Sequence, residues 1–250
     1  MARSMAILLA AAAVLVHTGS AIAASDIGVA SAVTNTVHAT QGGAPRDLRT
    51  GDRVFEQQVI ETETKSSAQL LFRDETALTI GPQSKVVLDR FVYDPATKTG
   101  TIVFNSAKGA FRFVSGAATP SSYRVNTPLG TVGVRGTIWS WLISAAGDMV
   151  AVCEEGSIEA CNNAGQCVTA GPGEAIIFRA DGTIVGPVEW NGVLWEVVEG
   201  IPFPLFGRRF ENEVSDRPTT ISPSDLNDVL DNLIDRTPPA DDDEFYLIEG

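Results

Sequence analysis

Histidine is almost missing from this 250-residue chain: there are two, and His17 directly follows the N-terminal apolar stretch. Ser66, Ser67, Ser121 and Ser122 therefore have no histidine in the glycine-rich middle to activate them, and no G-x-S-x-G turn is present, which disfavours serine-hydrolase chemistry. Cysteine is scarce as well. Cys153, Cys161 and Cys167 match no zinc spacing. Asp89, Tyr93 and Asp94 beside a turn, and the run Asp241-Asp242-Asp243-Glu244, lack the spacing of a dedicated calcium loop. No catalytic, cofactor or metal residues are assigned from the sequence. Basic residues are also in short supply, 18 Lys and Arg against 31 Asp and Glu, for a net charge of -13. Such a surface repels phosphate backbones and disfavours nucleic acid as a partner.

An uninterrupted apolar run of about 20 residues, the length a membrane span needs, is missing too. The stretch Met5 to Val16 is shorter, follows Arg3, and precedes the small residues Ser20-Ala21-Ile22-Ala23-Ala24. This order predicts a secretory signal over 1–24, with an uncleaved anchor as the alternative, and an exported, periplasmic product with no stable membrane span after cleavage. In an oxidising compartment Cys161 and Cys167, five residues between them, are candidates to close a hairpin with a disulfide if their Cα atoms come within about 7 Å, leaving Cys153 over.

What the chain has in quantity is short alternating runs between turn residues. They recur at Val54 to Ile60, Ala68 to Phe72, Ala77 to Ile80, Lys85 to Leu88, Thr101 to Phe104, Gly109 to Val114 and Ser122 to Val125. Further runs follow at Thr131 to Val134, Ile138 to Ile143, Met149 to Cys153, Ser157 to Cys161, Cys167 to Ala170 and Ala175 to Phe178. Spacing of about ten residues or less without a helical period predicts an all-β fold of many short strands. Residues 25–50 read as a lead-in with one possible strand at Ile27 to Val37, and order is expected from Gly51, with the β domain over 51–186. Residues 187–220, with Trp190, Trp195, Phe203, Phe206 and Phe210 among prolines, read as an irregular aromatic segment lying across that core. Residues 221–236 hold one amphipathic helix: Ser222 caps it, Pro223 opens it, and Leu226, Val229, Leu230, Leu233 and Ile234 share a face. The tail 237–250 is acidic and expected to be mobile, and from Glu211 onward the chain carries a net -10.

The most informative stretch is Asn126 to Ser144, where β-branched residues alternate around Gly130, Gly133 and Gly136. Arg135 either forms a partner-binding salt bridge or staples neighbouring turns through its several donors, and the flanking glycines favour the second. Trp139 and Trp141 share one face by alternation. They either project as a partner-binding patch or pack beneath the aromatic segment near Trp190 and Trp195, and the usual burial of large aromatic area favours packing.

The blocks GDRVFEQQVIETETKSSAQLLFRDETALTIGPQSKVVLDRFVYDP, GAFRFVSG, YRVNTPLGTVGVRGTIWSWL, VAVCEEGSIEA and VTAGPGEAIIF, spread from about Gly51 to Phe178, resemble the FecR domain family. The most recognisable part runs from Thr127-Pro128 through Gly133 to Arg135-Gly136-Thr137. The resemblance implies a compact all-β domain, solenoid-like or sandwich-like, that is periplasmic and not an enzyme. Founding members of that family are transmembrane regulators of iron-uptake signalling. This chain shows neither a cytoplasmic segment before its apolar run nor a receptor-contacting domain after Phe178, so the expected role is a stand-alone module that binds, senses or scaffolds an envelope protein partner. Edge pairing is its physical mode. A carbohydrate-active or envelope-modifying enzyme on a β-solenoid scaffold is the other class considered, since carboxylates from distant strands can form a glycosidase pair.

Overall fold

A computed structural model describes residues 25–190. The predicted signal at 1–24, the segment beyond 190, the helix at 221–236 and the tail at 237–250 lie outside the described residues. The strands in chain order are β1 (Asp26–Thr34), β2 (Val37–Thr40), β3 (Arg46–Asp47), β4 (Arg53–Phe55), β5 (Gln58–Thr62), β6 (Ser67–Phe72), β7 (Ala77–Ile80) and β8 (Lys85–Asp94). They continue with β9 (Thr99–Val114), β10 (Tyr123–Thr127), β11 (Gly130–Ile143), β12 (Met149–Asn162), β13 (Cys167–Ala170), β14 (Glu174–Phe178) and β15 (Ile184–Glu189). One 3-10 turn, Pro120–Ser122, precedes β10. The all-β expectation holds, and no helix among the described residues is long and apolar enough to cross a membrane.

Three long strands organise the fold because each bends partway and pairs differently on either side. The first half of β9 pairs with β8 and β10, whereas its residues 109–114 pair with β7 and β11. Likewise β11 joins β10 through residues 130–133 and β9 through 138–143, and β12 meets β13 before turning against β14. The pairings resolve into two layers. One runs β4-β1-β6-β7-β9-β11-β12-β14-β15, and the other runs β3-β2-β5-β8-β9-β10-β11-β12-β13, with β9, β11 and β12 crossing between them. Of the two arrangements anticipated, this is the sandwich-like one, with strands that switch layers at bends. β9–β10 is the only parallel pair among the described strands.

Sequence places the bends. At the turn of β11 and β12, Gly136 and Gly156 both adopt positive φ, +61° and +72°. A Cβ on Gly156 would lie 2.2 Å from the carbonyl oxygen of Gly136, so this crossing admits no side chain. The glycines that looked like strand ends are mid-strand bulges. They fuse Thr131 to Val134 with Ile138 to Ile143, and Met149 to Cys153 with Ser157 to Cys161. Conversely, the run Val54 to Ile60 is broken at Gln57, whose φ of 65° ends β4 before β5 starts.

Between the layers lies one apolar core. Phe72 packs on Phe104 with ring centroids 5.1 Å apart, Phe104 on Phe113 at 6.2 Å, and Phe113 on Tyr123 at 5.4 Å, an unbroken aromatic chain from layer to layer. Each fully buried ring contributes on the order of 2 to 3 kcal/mol through area removed from water. Order begins earlier than expected: Ile27, Ala30, Val37, Ala39 and Leu48 belong to this core, so β1 to β3 are integral to the sheet. It also ends later. Val188 of β15 is 3% exposed, and Pro187 is accommodated because β15 is an edge strand.

Candidate partner-binding surface

The signature block forms a hairpin and a stapled bulge. Thr127 Oγ1 accepts the backbone N–H groups of Leu129 (3.3 Å) and Gly130 (3.1 Å) and donates to the Gly130 carbonyl (3.0 Å), closing the turn over Pro128 between β10 and β11. Gly133 makes no comparable demand: a Cβ there would meet nothing nearer than 3.9 Å. At the bulge Thr137, 1% exposed, does the stapling. Its hydroxyl accepts from Arg135 N (2.9 Å) and donates to Ser157 O (2.9 Å), while its own N–H donates to Ser115 Oγ (2.9 Å).

Arg135 departs from the favoured expectation. Its side chain is 74% exposed, and a long contact of 3.9 Å to Glu159 is the ion pair it makes. The threonine two residues on satisfies the turn, which frees the guanidinium to face water. An exposed pair of this kind contributes little stability. Arg124, Gly133 and Glu159 stand opposite one another across β10, β11 and β12, so this face of the second layer is an ordinary charged surface.

Trp139 and Trp141 are a correction to the partner-binding assignment. Both are 0% exposed. Their rings stack at 4.1 Å with an interplanar angle of 18°, Trp141 stacks on Phe111 at 5.0 Å, and its indole N–H donates to Ser106 Oγ at 3.1 Å. Alternation rightly put them on one face, and that face is the interior between the layers.

Cys161 and Cys167 are joined, with Cα atoms 4.0 Å apart across β12 and β13. Glu159 gathers beside their sulfurs, but a disulfide offers no thiolate ligand. Cys153 is free and buried, and burial, with the negative charges of Glu154 and Glu174, pushes its thiol up to about 11. It is an inert core group at neutral pH.

Two features went unread in the sequence. On the outer face of the first layer, Arg112 Nε and Nη2 bind Glu154 Oε1 (3.1 Å) and Oε2 (2.9 Å) as a fork, and Ser140 Oγ donates to the same Oε1 at 3.2 Å. Further along that face Val29 and Leu71 are direct cross-strand partners on β1 and β6, exposed to 39% and 43%. Around them stand Arg53 and Arg73, whose guanidiniums reach Asp26 at 3.1 and 3.5 Å. An open apolar pair inside a charged rim has the anatomy of a small protein-binding patch. Strand alternation could have found it: Leu71 falls on the opposite face from the core residues Leu70 and Phe72.

Residues 58–159, under half of the chain, match the family described as FecR protein. Two solved structures from Parabacteroides distasonis ATCC 8503, each described as a candidate anti-sigma factor, are similar at low identity. One is 16% identical with a TM-score of 0.42, covering 51% of this chain and 57% of that one. The other is 15% identical with a TM-score of 0.43, covering 55% and 63%. The chain thus spans less than two thirds of the length of those structures. No curated protein matches it.

Proposed function

We propose that this is an exported, periplasmic FecR-domain protein that acts without catalysis, as a binding, signal-sensing or scaffolding module for an envelope protein partner. The FecR domain and the N-terminal signal pattern support the class and the compartment. The single observation that carries the binding role is the exposed Val29–Leu71 pair inside its rim of Arg53, Arg73 and Asp26. The groups best suited to chemistry are engaged structurally: Glu154 by Arg112 and Ser140, Asp74 by Tyr123 and Thr76, and Cys153 by the core.

Site-specific photo-crosslinking in cells tests the reading. A crosslinker at Leu71 should capture a defined envelope protein, Val29→Asp should abolish that capture, and a crosslinker at Thr169 on the charged face should not reproduce it. Identical captures from both positions, or none from Leu71, would refute the proposal.

A further inference from the structure

In the second layer β8 is covered along only half of its outer edge. β5 pairs with residues 85–88, and its line then stops because Gln57, at positive φ, turns the chain toward β4. The Gln57 backbone N–H donates to Leu88 O and its side-chain amide to Asp89 O, which closes that end. Beyond it, residues 90–94 pair with β9 on one side, and no described strand lies on the other. The Val92 carbonyl points at β9, where a Cβ on Gly100 would lie 2.1 Å from it. Backbone direction alternates along an antiparallel strand, so Phe91 and Tyr93 turn their N–H and C=O groups to the open side. Such a row is a template for another strand. The other sheet ends are blunted: β15 carries Pro187 in mid-strand, and β13, β4 and β3 are four, three and two residues long.

We infer that this edge pairs with the same edge of a second copy of the chain, antiparallel about a two-fold axis at Val92. The inference is independent of the partner-binding reading, which rests on the other layer. The edge is its own complement. With Val92 opposite Val92 of the second copy, Arg90 falls opposite Asp94, Asp94 opposite Arg90, and Phe91 opposite Tyr93. Arg90 and Asp94 are exposed, and neither makes an ion pair among the described residues. Hydrogen bonds from Thr97 and Ala96 hold the Asp94 carboxyl below its usual range, so it is charged at neutral pH. Val92 is 56% exposed, more than Val29 or Leu71, and the pairing hides it. Phe91 and Tyr93 supply the hydrogen-bonded pairs on either side of the axis, and Val92 forms the close pair between them. Pro95, next in the outward series, has no N–H and ends the ladder. So short a pairing buries less than the roughly 1,000 Å² of a stable interface, which makes the dimer weak, with Kd on the order of 0.1 mM.

Sedimentation equilibrium of the full chain tests this, and should show a monomer–dimer equilibrium of about that strength. Arg90→Asp and Asp94→Arg should each weaken it at least about tenfold, because each sets like charges opposite one another twice. Mixing the two variants should restore association, since every charge then meets its opposite across the mixed pair. Under mild oxidation Val92→Cys should form a disulfide-linked dimer several times faster than Leu71→Cys, because the axis holds the two thiols within bonding range. A chain that stays monomeric at about 1 mM, tenfold above the expected constant, would overturn the inference. So would association that the charge reversals leave unchanged, loss that mixing does not restore, or linkage at position 71 as fast as at position 92.

Discussion

The hydroxyl of Tyr123 donates to Asp74 Oδ2 at 2.7 Å, joining the turn after β6 to the start of β10 in the opposite layer. The Tyr123 hydroxyl oxygen in turn accepts the N–H groups of Gly116 and Ala118, both at 3.1 Å, and Asp74 takes two more bonds from Thr76. This is a buried latch that ties the β9–β10 connection to the β6–β7 turn. Thr76 continues to serve Asp74 and Gly116 without the phenol, so Tyr123→Phe should destabilise by about 2 kcal/mol, chiefly by stranding the Ala118 N–H. Burial and the Asp74 carboxylate push the Tyr123 hydroxyl up to about 12. The folded state therefore holds this proton after the unfolded chain has lost it. Stability from the group is complete below pH 10 and declines as pH rises from 10 to 12. Chemical denaturation across that range should show the decline, and Tyr123→Phe should flatten it.

His38 provides the opposite edge with a titratable clamp. Its Nε2 lies 3.1 Å from Glu63 Oε1 and its Nδ1 3.2 Å from Asp47 Oδ1, holding β2 to β3 and to the turn after β5. The hydrogen bond to Glu63, aided by both carboxylate charges, raises its pKa above 6.5. A raised value means that the stabilising charge is fully present below 6.5 and is lost as pH climbs through the folded value. Ring-proton NMR titration should place His38 above 6.5, Glu63→Gln should bring it down, and high salt should shrink the difference. An unshifted titration would remove the clamp.

The bridge between Cys161 and Cys167 reinforces a hairpin that is already well tied. Asn162 Oδ1 accepts from Ala164 N (3.1 Å) and Gln166 N (2.9 Å), and its amide donates to Gly182 O (2.9 Å). Six positions separate the cysteines, so the closed loop is short and its entropic contribution is about 2 kcal/mol. Cys161→Ser with Cys167→Ser should lower the denaturation midpoint by about that amount and leave the far-ultraviolet spectrum intact. Unreduced peptide mapping of the native protein should recover the two residues in one linked peptide. Collapse of the fold on reduction would show that the bridge carries more than loop closure.

Much of this architecture could be read from alternation alone. The pairs Leu70 and Phe72, Leu78 and Ile80, or Phe111 and Phe113 have the two-residue period of half-buried strands, and all are buried. What alternation cannot supply is which layer a strand joins. That depends on bends, and a glycine that lets one strand cross between layers has the same appearance in sequence as a glycine that ends a strand. For the same reason Asp74 and Tyr123, 49 residues apart, gave no sign of meeting. The stapling assigned to Arg135 failed for a different reason. A long cation looked like the obvious donor, yet the bulge is small enough for the hydroxyl of Thr137 to bridge Arg135 N and Ser157 O. The runs Val150 to Cys153 and Ala175 to Phe178 did carry a signal that went unused, since near-continuous apolar residues mark strands covered on both faces.

The two glycines therefore make opposing predictions, although both lie within the matched residues 58–159. Gly156 crosses β11 at positive φ, and a methyl group there would overlap the Gly136 carbonyl oxygen at 2.2 Å, with the Arg135 oxygen at 2.6 Å. Backbone atoms cannot rotate away as a side chain would. Gly156→Ala should thus force the bulge open, destabilising by about 2 kcal/mol or more and exposing Thr137. Gly133 has an ordinary strand conformation, with nothing nearer than 3.9 Å to an added Cβ, on the solvent side beside Arg124 and Glu159. Gly133→Ala should be neutral or stabilising by a few tenths of a kcal/mol, because alanine loses less chain entropy on folding. Thermal unfolding of the two variants decides the matter. If Gly133→Ala proved the more damaging, the open, solvent-side setting described for Gly133 would be wrong.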